Sequence, residues 1–248
     1  MKRFILVLLI LLFSLLLFSL NFNDGVIAET DHRAEDFASY ERPDFHEASV
    51  HDPSIEVVDG RWYVIGSHLA SAYTDNGYAW YNLSTRVEEG NPLIPKPFQE
   101  LDEALTWAST LTLWASDWIY LPETGQYYLY YCACEGSSPR SALGYAVADD
   151  IEGPYKHQKI LLKSGNWGEE GPDGKIYDPV FAPNAIDPHV FFDQEGNLWM
   201  VYGSYSGGIF ILEMDEKTGE IVPGQGWGTK LMGGGHTPIE GPYILYHP

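Results

Sequence analysis

The chain has 248 residues, with 35 Asp and Glu against 14 Lys and Arg and a formal net charge of -21. An acid surplus of that size excludes a nucleic-acid partner, because binding a phosphate backbone needs clustered Lys and Arg. Aromatic residues make up 15% of the chain beside 25 Gly and 16 Pro, which excludes a disordered polymer and indicates a folded, turn-rich β protein whose acidic surface suits a neutral ligand.

Lys2-Arg3 precede the apolar run Phe4 to Leu20, and Val26-Ile27-Ala28 follow it. That is the charged start, apolar middle and small-residue end of a secretory signal, so residues 1–28 are read as a signal peptide and 29–45 as a linker, with the protein secreted. The run of about 17 residues falls short of the roughly 20 that a spanning helix needs, and an N-terminal membrane anchor is the alternative.

From residue 46 onward the chain is predicted to fold as successive hairpins. "HDPSIEVVDGRWYVIGSH" from His51 holds two short apolar strands around a Gly-containing turn; "LASAY" and "YAWYNL" form a second hairpin about Asp75-Asn76-Gly77. Phe98 to Trp107 is the best short helix in a chain where helix is scarce. "SDWIYLPETGQYYLYYCA" from Ser116 repeats the first hairpin, and "ALGYAVA" with "HQKILL" repeats the second. The connection Lys163 to Pro183 is read as the rim of a groove. "IDPHVFFDQEGNLWMVYGSY" from Ile186 is a third inner hairpin, with "GIFILEM" and "GEIV" outside it. "IEGPYILYHP" from Ile239 opens a fourth unit.

Each unit starts with an acidic residue, at positions 52, 117, 187 and 240, separated by 65, 70 and 53 residues. A period near 60 with hairpins inside every unit is the mark of a β-propeller, about three blades and the first strand of a fourth being present. The expectation is therefore an incomplete β-propeller domain over 46–248, poorly folded and inactive in isolation, because an unclosed ring leaves backbone groups unpaired at its edge. Cys132 and Cys134 stand two apart on one strand, with Cα atoms about 6.5 Å apart and a backbone that resists closing a disulfide, and both are read as packed thiols.

Proline has no N–H to give a ladder, so Pro53 and Pro188 fit only where a strand begins, and Asp52 and Asp187 then stand at the open strand ends. Radial blades bring such positions together, making Asp52, Asp187 and Glu240 neighbours. Crowded carboxylates repel, so one member keeps a proton while another stays ionised, the condition for general acid–base cleavage of a glycosidic bond. Asp178 and Asp117 are read as structural. Trp114 and Tyr205 are candidates for stacking on a sugar ring, with core packing as the alternative; His51 and His236 flank the acidic positions and either hydrogen-bond there or fill space.

"VHDPSIEV", "LWASDWIYL", "YAVADDIEGPY", "NAIDPHVFFDQEGNLWMVYGSYSGGIFILEMD" and "GGGHTPIEGPYI", in that order and spacing, resemble the N-terminal part of glycoside hydrolase family 43. The resemblance runs over residues 46–248 and implies a five-bladed propeller that hydrolyses with inversion. It implies Asp52 as general base, Glu240 as general acid, and Asp187 as the carboxylate that tunes and orients the acid. Ser116 departs from the proline common in the family's "WAPD" pattern, which puts the local turn in question. "MVYGSYSGGIF" and "GGHTPIEGPY" are most similar to members acting on α-1,5-linked arabinan; α-L-arabinofuranosidase, β-xylosidase and a non-catalytic polysaccharide-binding propeller are the rival readings. The chemistry needs no cofactor. The resemblance also implies a calcium ion held by a histidine of a later blade, so no metal ligand is assigned in this chain.

Overall fold

The computed structural model describes residues 46–247; the expected signal peptide and linker lie outside the described residues. Among the described residues thirteen strands form three antiparallel sheets. The first holds β1 (Ser54–Val58), β2 (Arg61–Ile65), β3 (Ser71–Thr74) and β4 (Tyr81–Ser84) in chain order. The second holds β5 (Trp114–Leu121), β6 (Gln126–Ala133), β7 (Ala142–Ala148) and β8 (Lys156–Lys163), again in order. In the third, β9 (His189–Phe192), β10 (Leu198–Tyr202) and β11 (Ile209–Asp215) run in sequence, and β12 (Glu220–Ile221) and β13 (Thr229–Met232) both pair with β11. The sequence reading omits β13.

Turn chemistry fixes the hairpins. Val58 pairs with Arg61 across Asp59-Gly60, whose φ values of 51° and 83° are the paired positive angles of a type I′ turn. In the β9–β10 loop Asp193 accepts the backbone N–H of Glu195 at 3.0 Å and of Asn197 at 2.8 Å, and the Trp199 indole N–H at 2.8 Å. The Asn197 side-chain amide, 2.9 Å from Oδ2, leads in holding its carboxyl down at about 2, with the Trp199 indole and the two backbone N–H groups adding to it.

The second sheet is buried on both faces, which explains the unbroken apolar run "YYLYYCA". On β6 the side chains alternate: Tyr128, Tyr130 and Cys132 enter one core with Val190, Met200 and Tyr202 of the third sheet, while Leu129, Tyr131 and Ala133 enter another with Tyr63 and Ile65 of the first. Cys132 and Cys134 lie in the same core as free, buried thiols, as read from their spacing. The second core is capped by α1 (Pro97–Glu100) and α2 (Asp102–Ala108), which divide the expected helix at Leu101 and bury Leu101, Ala104, Leu105 and Ala108.

The leading strands adjoin, β1 beside β5 and β5 beside β9. Asp117, 2% exposed, joins all three: it accepts from the Ser54 hydroxyl and from the Val190 N–H at 2.6 Å, and meets His189 Nδ1 at 3.2 Å. This bears out its structural reading. Asp178 likewise caps a turn, accepting the Val180 N–H at 2.9 Å. At Ser116, where a proline was the pattern, β5 carries a register shift between Trp114 and Asp117 instead of a turn.

One expectation is corrected. Ile239 to His247 form no strand; the segment rests on β9 through Ile244 O to His189 Nε2 at 3.0 Å and the Tyr243 ring stacked 3.7 Å from the His189 ring. The 163–183 connection lies against the loops that carry Ser206 and His236, Val180 O accepting the Gly235 N–H at 3.0 Å and Ala182 O the Gly207 N–H at 2.9 Å. Among the described residues no helix is long and apolar enough to cross a membrane.

Candidate active site

Pro53 and Pro188 stand immediately before β1 and β9, as their missing N–H requires. The preceding residues, Asp52 at φ 52° and Asp187 at φ 54°, take the left-handed conformation, uncommon for any side chain and disfavoured before proline. Aspartate tolerates that region better than most residues, and such backbone strain persists only where surrounding contacts hold it. At Asp52 the hold is visible: Gly66 passes so close that a Cβ there would lie 2.0 Å from the His51 carbonyl, and Ser67 donates its N–H to that carbonyl at 2.8 Å.

A cavity of about 820 Å³ opens at these strand mouths. It is lined by all seven residues singled out from the sequence: His51, Asp52, Trp114, Asp187, Tyr205, His236 and Glu240. Asp52 and Glu240, 188 positions apart in the chain, therefore share one wall system, within the size range of small-molecule sites.

The carboxylates are held differently. Asp52 Oδ2 accepts from the Ser67 hydroxyl at 2.7 Å and contacts His51 Nδ1 at 2.6 Å, leaving Oδ1 without a hydrogen bond among the described residues. Asp187 Oδ2 accepts from the Ser204 hydroxyl, and Ser204 Oγ accepts the Gly241 N–H at 3.0 Å. Burial raises the Asp187 carboxyl above its ordinary range; the Asp52 and Glu240 charges add to the rise, while Ser204 and the Gly241 N–H oppose it. Burial thus outweighs the mutual repulsion expected from the sequence. Glu240 itself is exposed on the segment after His236.

Of the other candidates, His51 is the one that meets a carboxylate directly. Tyr205 and His236 pair with each other, ring centroids 5.3 Å apart, and are pinned by Tyr205 N–H to Ile239 O at 2.7 Å and His236 N–H to Ser206 O at 2.9 Å. Trp114 is half-buried, packed against the core that the second and third sheets share and close to Gly136. Ser67 and Ser204 are the residues that sequence reasoning passes over. Their signal is present in the repeat: each follows a glycine at the end of the second strand of its hairpin, in "VIGSH" and "VYGSY". No group of three or more His, Cys, Asp or Glu side chains among the described residues is arranged to hold a metal ion.

The family model for glycosyl hydrolases family 43 matches residues 40–248. The extracellular endo-alpha-(1->5)-L-arabinanase 2 of Bacillus subtilis is 58% identical over 208 residues, covering 84% of this chain and 44% of that protein. The extracellular endo-alpha-(1->5)-L-arabinanase of Thermotoga petrophila is 52% identical, covering 84% and 45%. The crystal structure of endo-1,5-alpha-L-arabinanase from Thermotoga petrophila superposes with a TM-score of 0.81 at 51% identity, over 84% of this chain and 47% of that one. A family 43 glycoside hydrolase from Bacillus licheniformis superposes with a TM-score of 0.80 at 59% identity, over 84% and 46%. The chain spans less than half the length of these relatives.

Proposed function

This chain belongs to glycosyl hydrolases family 43, and on that premise we propose that it serves a secreted endo-acting glycosidase that hydrolyses α-1,5-linked arabinan with inversion. In this reading residues 1–28 are the export signal, 29–45 the linker, and 46–248 part of a five-bladed propeller to which the chain contributes its three sheets. The arabinanase relatives, both named extracellular, support the substrate class and the export.

Asp52 is the general base: through its free Oδ1 it takes a proton from water as the water oxygen bonds to the anomeric carbon. Glu240 is the general acid: it gives its proton to the leaving oxygen as the glycosidic C–O bond breaks. One displacement leaves Asp52 protonated and Glu240 ionised, and solvent exchange resets both. Asp187, half-buried between them, tunes and orients the acid segment through Ser204 and Gly241. Trp114, Tyr205, His51 and His236 supply the walls that hold the sugar.

The observation that carries the reading is the meeting of Asp52, Asp187 and Glu240 at one cavity, with Asp187 sensing the charge of both others. A protein that only bound polysaccharide would have no use for a base and an acid across one bond. The test is reducing-end release from linear arabinan by the full-length protein. Glu240→Gln and Asp52→Asn are expected to lower kcat by about 10²–10⁴-fold each. Equal release by wild type and Glu240→Gln would refute the assignment of the acid; arabinan binding without release by any form would favour the binding module.

A further inference from the structure

The geometry points to Ser67 and Ser204 as paired positioning residues that serve opposite halves of the reaction, Ser67 fixing the base and Ser204 coupling Asp187 to the segment that carries the acid. The inference rests on the glycosidase reading above. It begins from a symmetry of the repeat. In the first unit the serine lies 15 residues after the aspartate, in the third 17, and in both the hydroxyl donates to Oδ2 of that aspartate across the hairpin. Both serines are buried, Ser67 at 3% exposed and Ser204 at 2%.

Each hydroxyl also accepts a backbone N–H, and here the two differ. Ser67 Oγ accepts from Ala115 at 2.9 Å, so the Asp52 carboxylate is tied to the backbone at the start of β5. With Oδ2 occupied by Ser67 and His51, the ring of contacts leaves Oδ1 as the oxygen to receive a proton from water. Ser204 Oγ accepts from Gly241 at 3.0 Å, the residue next to Glu240. One hydroxyl therefore links the Asp187 carboxylate to the backbone of the acid, and the Tyr205 N–H to Ile239 O bond at 2.7 Å holds the same segment from its other side. A hydroxyl is suited to this because it donates and accepts at once. The second unit lacks the device: its acidic residue, Asp117, lies inside β5 and is spent on holding three strands together.

The two roles separate by leaving group. The saccharide released from linear arabinan would be a poor alkoxide leaving group and needs the acid's proton to depart as an alcohol; dinitrophenolate departs without one, yet both reactions need an activated water. In the full-length protein Ser204→Ala is expected to lower kcat on linear arabinan by about tenfold or more, with much less loss on the dinitrophenyl substrate, so that the ratio of the two rates falls about tenfold. Ser67→Ala is expected to lower both rates together and leave the ratio within about twofold of wild type. Because the ratio does not depend on how much of a variant is folded, a folding defect cannot imitate the result. An unchanged ratio in Ser204→Ala, or an equal shift of the ratio in both variants, would overturn the inference. A wild type that cleaves neither substrate would instead overturn the glycosidase reading on which it rests.

Discussion

Glu56, half-buried on β1 near Asp117, shows how one acid makes stability depend on pH. Burial first, and the nearby Asp117 charge second, raise its carboxyl from 4.5 to about 7. The native chain therefore holds a proton on Glu56 between those values that the unfolded chain has released. Its contribution to stability is greatest below about pH 4.5 and is lost as pH rises through 7, a swing of order 2 kcal/mol. Glu56→Gln is uncharged throughout, so it should melt higher than wild type at pH 8 and gain little at pH 4.5. Thermal melts at the two pH values check this, and an equal difference at both would show that Glu56 is not the titrating group. The same physics acts on Asp187, where burial is again the leading cause of a raised carboxyl, at the cavity it shares with Asp52 and Glu240.

At the scale of elements, the hairpins are legible in the sequence because their signals are local. Asp59-Gly60, Asp75-Asn76-Gly77 and Asp193 to Asn197 each supply their own turn chemistry, and alternating apolar runs mark the strands on either side. The strand β13 is not legible, since Thr229 to Met232 is exposed and owes its place to the edge that β11 offers. Ile239 to His247 carry strand-forming residues yet form no ladder, meeting β9 through the His189 side chain instead. Asp117 is the element-level joint: its carboxylate satisfies Ser54 of β1 and Val190 of β9 from within β5. Asp117→Ala would leave a buried N–H and hydroxyl unpaired, at a cost of about 2–4 kcal/mol. The expected result is a melting temperature lower by roughly 5 °C or more, and a drop below about 2 °C would mean that the clasp contributes little.

For the whole molecule, three sheets with a middle one buried on both faces bring the mouths of β1 and β9 to one cavity, with the Glu240 segment lying across it. The period of acidic residues foretells that convergence, and Asp52, Asp187 and Glu240 meet as expected. What the sequence does not disclose is how they are held, because a hydrogen bond from Ser67 or Ser204 depends on a register set by the hairpin between them. Left-handed backbone at Asp52 and Asp187 is equally invisible beforehand, since a residue before proline ordinarily avoids it. If Asp52 and Glu240 act in a single displacement with a water between them, the configuration at the anomeric carbon inverts. Proton NMR of the first product that the full-length protein releases from α-1,5-arabinan, recorded before mutarotation, tests it most directly. The account requires the β-anomer at the new reducing end, and appearance of the α-anomer first would contradict it.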